Sequence, residues 1–215
     1  MKTVLLGFFV GLGISAQAQY WQQAVHYDMD ITMDVANHQY DGAQQITYTN
    51  NSPDTLHKAY FHLYFNAFQP ESMMDVRSRN ITDPDRRVRD RIKGLGPDRV
   101  GYQNVRALTQ DGSPLSWDVW GTILRCELAE PLQPGQSTTF SMVWNAQVPE
   151  QIRRSGWNNK EGIEFTMTQW YPKLAEYDSD GWHADQYVGR EFYGVWGSFD
   201  VKIHIDRDYV LGGTG

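Results

Sequence analysis

The chain holds a single cysteine, Cys126, among 215 residues, so no internal disulfide forms and a disulfide-stapled framework is excluded. It is short of cations: 19 Lys and Arg stand against 26 Asp and Glu, a formal net charge of −7. Such a balance gives no overall positive field to draw phosphate, which argues against a nucleic-acid binder. Beyond its first residues the chain has no apolar run long enough to span a bilayer. It has no Gly-x-Ser-x-Gly nucleophile turn and no phosphate-binding Gly loop. Its histidines are His26, His38, His57, His62, His183 and His204. None precedes a Glu and no two are four residues apart, so the helical zinc-peptidase pattern is missing. No spacing of carboxylates makes an acid/base pair.

What is present is a globular composition, with 40% apolar and 21% charged residues. A chain of this length normally makes one domain, at most two. The first residues read as a secretory signal rather than as part of the fold. Lys2 opens a positive end, Val4 to Ile14 is apolar or Gly, and Ala16-Gln17-Ala18 supplies the small-x-small cleavage pattern. Removing residues 1–18 leaves 215 − 18 = 197 residues, loses Lys2 and makes the charge −7 − 1 = −8. No Cys follows the signal, so a lipid anchor is not expected. The expectation is an exported domain, periplasmic or extracellular, over residues 19–215.

The dominant period after the signal is two. Val25, Tyr27, Met29, Ile31, Met33 and Val35 alternate with His26, Asp28, Asp30, Thr32 and Asp34. Successive strand side chains point to opposite faces, so this predicts a half-buried strand with a charged outer face. Thr138 to Ala146 and Phe199 to Ile205 repeat the pattern. Weaker strands are expected over 40–49, 57–66, 102–109, 115–120, 122–129 and 162–169. Turn signals lie between them at Asn50-Asn51-Ser52-Pro53, Asp111-Gly112-Ser113-Pro114 and Gln133-Pro134-Gly135. The fold class is therefore all-β: an antiparallel β-sandwich or saddle of curved sheets. No stretch reads as a capped amphipathic helix of full length. Cys126, between Leu124 and Leu128, reads as a small buried strand residue rather than a nucleophile.

Residues 66–101 break the rhythm. Arg77, Arg79, Arg86, Arg87, Arg89, Arg91, Lys93 and Arg99 are interleaved with Asp75, Asp83, Asp85, Asp90 and Asp98. The plain reading is a solvated loop with locally paired charges and room for a short helix; the sharper one is an anion-binding patch. Asp28, Asp30 and Asp34 share a strand face and read as solvated, not as a calcium site.

The segment 161–197 packs nine aromatic side chains among Gly and polar residues, from Phe165 to Trp196. Its alternation is poor, so much of it is expected as loop, and loop aromatics can wall a cleft. Within it His183 reads as a local hydrogen bonder, with metal ligation beside Asp180, Asp185 and Glu191 as the alternative.

Several runs resemble the N-terminal domain of secreted M1-family (gluzincin, aminopeptidase N-like) zinc metallopeptidases. They are YDMDITMDVANHQYDGAQQITYTNNSPDTL at 27–56, YFHLYFNAFQP at 60–70, RRSGWNNKEGIEF at 153–165, TQWYPKLAEYDSDGWH at 168–183 and the strand that follows. The resemblance implies a β-rich saddle covering one side of a catalytic cleft. It implies that Gln169, in the TQ-type segment, helps bind the N-terminus of a peptide substrate, with Trp170 and Tyr171 beside it. Gln can accept a bond from an ammonium but lacks the charge of a Glu. Trp170-Tyr171-Pro172 departs from the usual Ala-Arg before the Pro. The family's zinc motif and its Gly-x-Met-Glu-Asn strand do not occur in the chain. The expectation is thus a chain truncated before the catalytic domain, with no cofactor of its own, zinc in the absent domain, and that domain as its intramolecular partner. Alone it is expected to be inactive. Two other readings stay open: an exported β-sandwich binding peptide or glycan through aromatic loops, and an M1-like scaffold without catalysis.

Overall fold

The structure is a computed structural model and describes residues 20–189 and 192–213. The expected signal segment and Glu191 lie outside the described residues.

Alternation builds the larger sheet. Its long members are β1 (Ala24–Asp34), β2 (Gln39–Thr49), β4 (Tyr102–Gln110), β8 (Ser137–Gln147) and β14 (Gly197–His204), with the short β5 (Ser113–Pro114) at one edge. The order is β14-β1-β2-β8-β4-β5. Val25, Tyr27, Met29 and Ile31 of β1 are buried while Asp28 and Asp30 face out. Their partners Tyr48, Ile46, Gln44 and Gly42 on β2 are buried on the same face, as the antiparallel register requires. The turn that closes this hairpin is held by Asp34, whose carboxylate accepts the Asn37 backbone N–H at 3.1 Å and its side-chain amide at 2.7 Å. Those two bonds pull the Asp34 pKa down.

A second sheet faces the first across the core. It consists of β3 (Leu56–His62), β6 (Trp117–Trp120), β7 (Ile123–Leu132) and β11 (Lys173–Leu174), in the order β11-β3-β7-β6. Phe61 of β3 meets Phe140 of β8 edge to face, ring centres 5.7 Å apart. Cys126 of β7 is buried here; its thiol points to the Ala59 carbonyl at 3.6 Å, and burial pushes its pKa up to about 12. It is a core residue. Two small hairpins complete the strands: β9 (Gly156–Trp157) with β10 (Phe165–Thr166), and β12 (Tyr177–Asp178) with β13 (Gly181–Trp182).

The centre of the core is Trp144 on β8, fully buried across from Gly42 on β2. A Cβ at Gly42 would lie 2.4 Å from the indole ring, so the strand glycine makes room for the tryptophan. The expected all-β class is what the structure shows, with one refinement. β14 pairs with β1 in parallel, while every other pair of strands among the described residues is antiparallel; a single parallel bridge joins Glu150 and Trp157.

Three expected elements change. The strand over 57–66 ends at His62, and a 3₁₀ turn (Tyr64–Phe68) buries four of its five side chains. The strand over 162–169 shrinks to Phe165–Thr166. Its backbone groups bond instead to side chains, for example Thr168 N–H to Ser155 Oγ at 3.0 Å. A capped helix, α1 (Met73–Asn80), occupies part of 66–101; Ser72 Oγ accepts the Asp75 N–H at 3.1 Å. No broad apolar stripe announces α1, because it buries only Met74, Asp75 and Ser78.

The charges of 66–101 pair as the plain reading expects. Arg79 reaches Glu71 at 2.9 Å and Asp75 at 3.2 Å, Arg87 reaches Asp85 at 2.9 Å, and Lys93 reaches Asp90 at 2.7 Å. On the strand face, Asp30 binds His204 at 3.1 Å and Lys202 at 3.5 Å. The core-side residues Phe199, Val201 and Ile203 of β14 stay 44%, 43% and 36% exposed, although Phe199 stacks on Tyr27.

Candidate functional site: an aromatic cleft edged by arginines

Residues 149–169 leave regular structure because their backbone turns sharply. Arg153, Asn158 and Gln169 adopt positive φ of 54°, 57° and 54°. Gly156 sits at φ 142°, and a Cβ there would fall 2.2 Å from the Gln151 Cα. Only glycine fits that close approach of backbone to backbone. The turn is closed by Ile152 N–H to Ser155 O at 3.0 Å and by Gln151 N–H to Trp157 O at 3.0 Å. Ser155 then fastens the TQ segment to this turn. Its hydroxyl donates to the Thr168 carbonyl at 2.9 Å and accepts the Thr168 N–H at 3.0 Å.

The same turn presents Arg153 and Arg154. Arg153 is buried, and its guanidinium donates to Asp83 at 2.7 Å. Asp83 is also buried and lies 3.7 Å from Arg77. This charge pair ties the turn to the middle of the 66–101 segment. Arg154 is exposed and has no ion pair among the described residues. Arg87 is exposed and forks onto Asp85 through two bonds of 3.0 and 2.9 Å. That fork holds the Asp85 carboxyl below the usual carboxylate range.

These groups edge a cleft of about 410 Å³. Its polar side holds Arg87, Arg153, Arg154 and Asp85 together with Ser155 and Thr168. Counting charges on the described lining residues gives 3 − 1 = +2. Its other wall is aromatic: Tyr64, Phe68, Tyr187 and Phe192. Tyr187 and Phe192 lie 4.9 Å apart, and each meets Tyr64 edge-on at 5.3 Å. Burial raises the Tyr64 pKa, so its hydroxyl stays neutral. A concave site with one apolar wall and a few convergent charges is the usual form of a small-ligand pocket.

A second cleft of about 380 Å³ has the opposite sign. It is edged by Glu176 and Asp178 beside Tyr20, Trp21, Tyr193 and Trp196. Burial raises the Glu176 pKa. Burial also works against Asp178, but the bond from His183, with those from Asp180 N–H and Tyr193 OH, outweighs it and lowers the pKa.

The residues expected at a site fall as follows. Gln169 is half-buried in its left-handed turn, directly after Thr168, which lines the first cleft. Trp170 packs on Tyr40 and Trp144, and its carbonyl accepts the Tyr40 hydroxyl. Tyr171 packs on Tyr27 and Phe199. Gln169, Trp170 and Tyr171 therefore lie along one segment, and none of them lines either cleft. His183 takes the local role, with Nε2 2.8 Å from Asp178. Among the described residues no three His, Cys, Asp or Glu side chains converge as a metal site. The aromatics of 161–197 divide: Trp170, Tyr171, Tyr177 and Trp182 pack against the core, while Trp196 is 84% exposed. Sequence reasoning did not single out Arg153 and Arg154 as a site. Adjacent arginines before Ser-Gly were the only signal, and their cleft is assembled from segments far apart in the chain.

No protein-family profile matches the chain, and no curated protein matches it. Solved structures do. The chain is similar to the M1 zinc metallopeptidase from Deinococcus radiodurans, with 14% identity and a TM-score of 0.46 over 85% of this chain and 32% of that one. It is also similar to a mutant two-domain M1 zinc metallopeptidase bound to L-arginine, with 14% identity and a TM-score of 0.47 over the same shares. The chain thus spans about a third of the length of these structures.

Proposed function

We propose that this chain is the N-terminal substrate-cleft domain of an exported M1-like zinc metallopeptidase of the aminopeptidase class. The observation that carries the reading is the run Thr168–His183. It holds the strongest sequence resemblance, and in the fold it is pinned at its start by Ser155 and along its length by core aromatics. Gln169, fixed in its turn between those anchors, is the residue proposed to accept a hydrogen bond from a peptide's terminal ammonium. The β-rich fold that the resemblance implies is the fold observed. Zinc is proposed to reside in a separate catalytic domain of the same protein. The described residues here offer it no ligand set.

The test uses the protein encoded by the intact gene. Zinc-dependent release of the amine from aminoacyl-anilides is expected, and Gln169→Ala is expected to raise KM by roughly tenfold through loss of one bond to a charged group. A gene product with no zinc motif, or one that binds no zinc and turns over no peptide, would sink the proposal. This chain by itself is expected to show no such turnover. A second reading, an exported peptide-binding β-domain, is favoured by the arginine-edged cleft, which is lined wholly by this chain.

A further inference from the structure

We propose that the arginine-edged cleft binds an organic carboxylate carried on an apolar, preferably aromatic, body. Arg154 and Arg153 would take the carboxylate, and Tyr64, Tyr187 and Phe192 the body. The ligand sources that share this chemistry are a free aryl carboxylate and the C-terminus of a peptide ending in an aromatic residue.

Four observations carry this. First, the arginines are not equivalent. Arg87 is satisfied by its fork onto Asp85, whereas Arg154 stands at the cleft with no ion pair among the described residues. Second, Arg153 lines the cleft beside Arg154 and is fixed there by the bond of one terminal nitrogen to buried Asp83 at 2.7 Å. Third, Arg153 is held at φ 54°, a conformation unusual for a non-glycine residue and of the kind found where a side chain is aimed for a task. Fourth, the cleft is also lined by a cluster of aromatic rings, Tyr64, Tyr187 and Phe192, which suits a planar apolar body. The planar guanidinium matches a carboxylate with two parallel bonds. The chain's net charge of −7 argues against a long polyanion, so the attraction is local to this cleft.

The inference does not rest on the peptidase reading. Binding is measured on this chain alone and zinc-dependent turnover on the longer protein, so either can fail while the other stands. The experiment is calorimetric titration of the full chain with 3-phenylpropionate, with the tripeptide Gly-Gly-Phe, with the amide of that tripeptide, and with inorganic phosphate. At least one of the two carboxylates should bind with a Kd below roughly 1 mM, a value reachable by a ligand of this size. Equal binding of both points to a free carboxylate as the source; tighter binding of the tripeptide points to a peptide C-terminus. The amide should bind roughly tenfold more weakly than the acid. Arg154→Gln should weaken the acid by a similar roughly tenfold factor at an unchanged melting temperature, because Arg154 is exposed and has no ion pair among the described residues. Arg154→Lys should fall between, keeping the charge but not the fork. The proposal is overturned if neither acid binds by roughly 10 mM, if the amide or phosphate binds as well as the acid, or if Arg154→Gln leaves the affinity unchanged.

Discussion

In the sheet built on β1, β2 and β8, nearly every second side chain is buried, and the strands pair over as many as eleven residues. In the stretch from 149 to 196, the five strands β9 to β13 are two residues long each, and much of the backbone is held by single bonds to side chains. Both regions bury aromatic rings: Trp144 and Tyr48 in the sheet, Tyr187 and most of Tyr171 in the irregular stretch. The sheet spends its side chains on filling volume. The irregular stretch borrows polar groups from the sheet, as when Tyr27 Oη accepts the Leu174 N–H at 3.0 Å. The difference teaches where each region is vulnerable: the sheet to lost volume, the stretch to lost backbone fit.

The largest expected effect is in the sheet. Trp144→Ala removes a fully buried indole whose Nε1 has no hydrogen-bond partner among the described residues, so the loss is one of packing and cavity. A cost of about 3–5 kcal/mol is expected in urea unfolding. A cost near 1 kcal/mol would mean that the two sheets collapse onto the gap, and the contrast between the regions would weaken.

In the irregular stretch the sensitive residue carries no side chain. Gly156→Ala should cost roughly 2–4 kcal/mol, from overpacking against Gln151 and from an unfavourable φ. Gly162→Ala is its internal control: φ is 75°, nothing lies within 4 Å of the added Cβ, and about 1 kcal/mol is expected. Equal costs at the two glycines would show that φ alone matters and that the close backbone approach does not.

The joint between the regions is pH-sensitive. His62, the last residue of β3, donates from Nε2 to the His183 carbonyl at 3.1 Å. Burial lowers its pKa from 6.5 to about 4. A lowered folded pKa means that the unfolded chain binds the proton first as pH falls. The stability from this group is therefore complete above pH 6.5 and is lost as pH falls from 6.5 to about 4, by about 3 kcal/mol in total. His62→Asn should flatten the stability profile across that window. A variant with the same slope as the parent would assign the pH dependence to other groups.

How far the sequence could be read follows the same division. β1, β2, β4 and β8 were legible to within a residue or two, because one buried face imposes a period of two on the side chains. α1 was not, since eight residues with one buried apolar side chain leave no stripe to detect. The strand expected over 162–169 failed because hydrogen bonds to Ser155 replace its ladder, and such bonds leave no periodic trace. The TQ segment was legible as a motif, but its left-handed turn at Gln169 was not. The arginine-edged cleft was invisible in the sequence, because Tyr64, Asp85, Arg154 and Phe192 are brought together only by the packing of four separate segments.

The sequence by itself determined the β class, the absence of disulfides, the acidic balance and the identity of most core strands. These are properties of composition and of short-range alternation, and each can be read within a window of about ten residues. Only the tertiary structure decided that β14 joins β1 in parallel, that Trp144 fills the space left by Gly42, and that most charges of 66–101 cancel locally while Arg154 stands at a cleft with no ion pair among the described residues. Charges and aromatic rings acquire a role only from their partners, and some of those partners lie well over a hundred residues away, as Phe199 does from Tyr27.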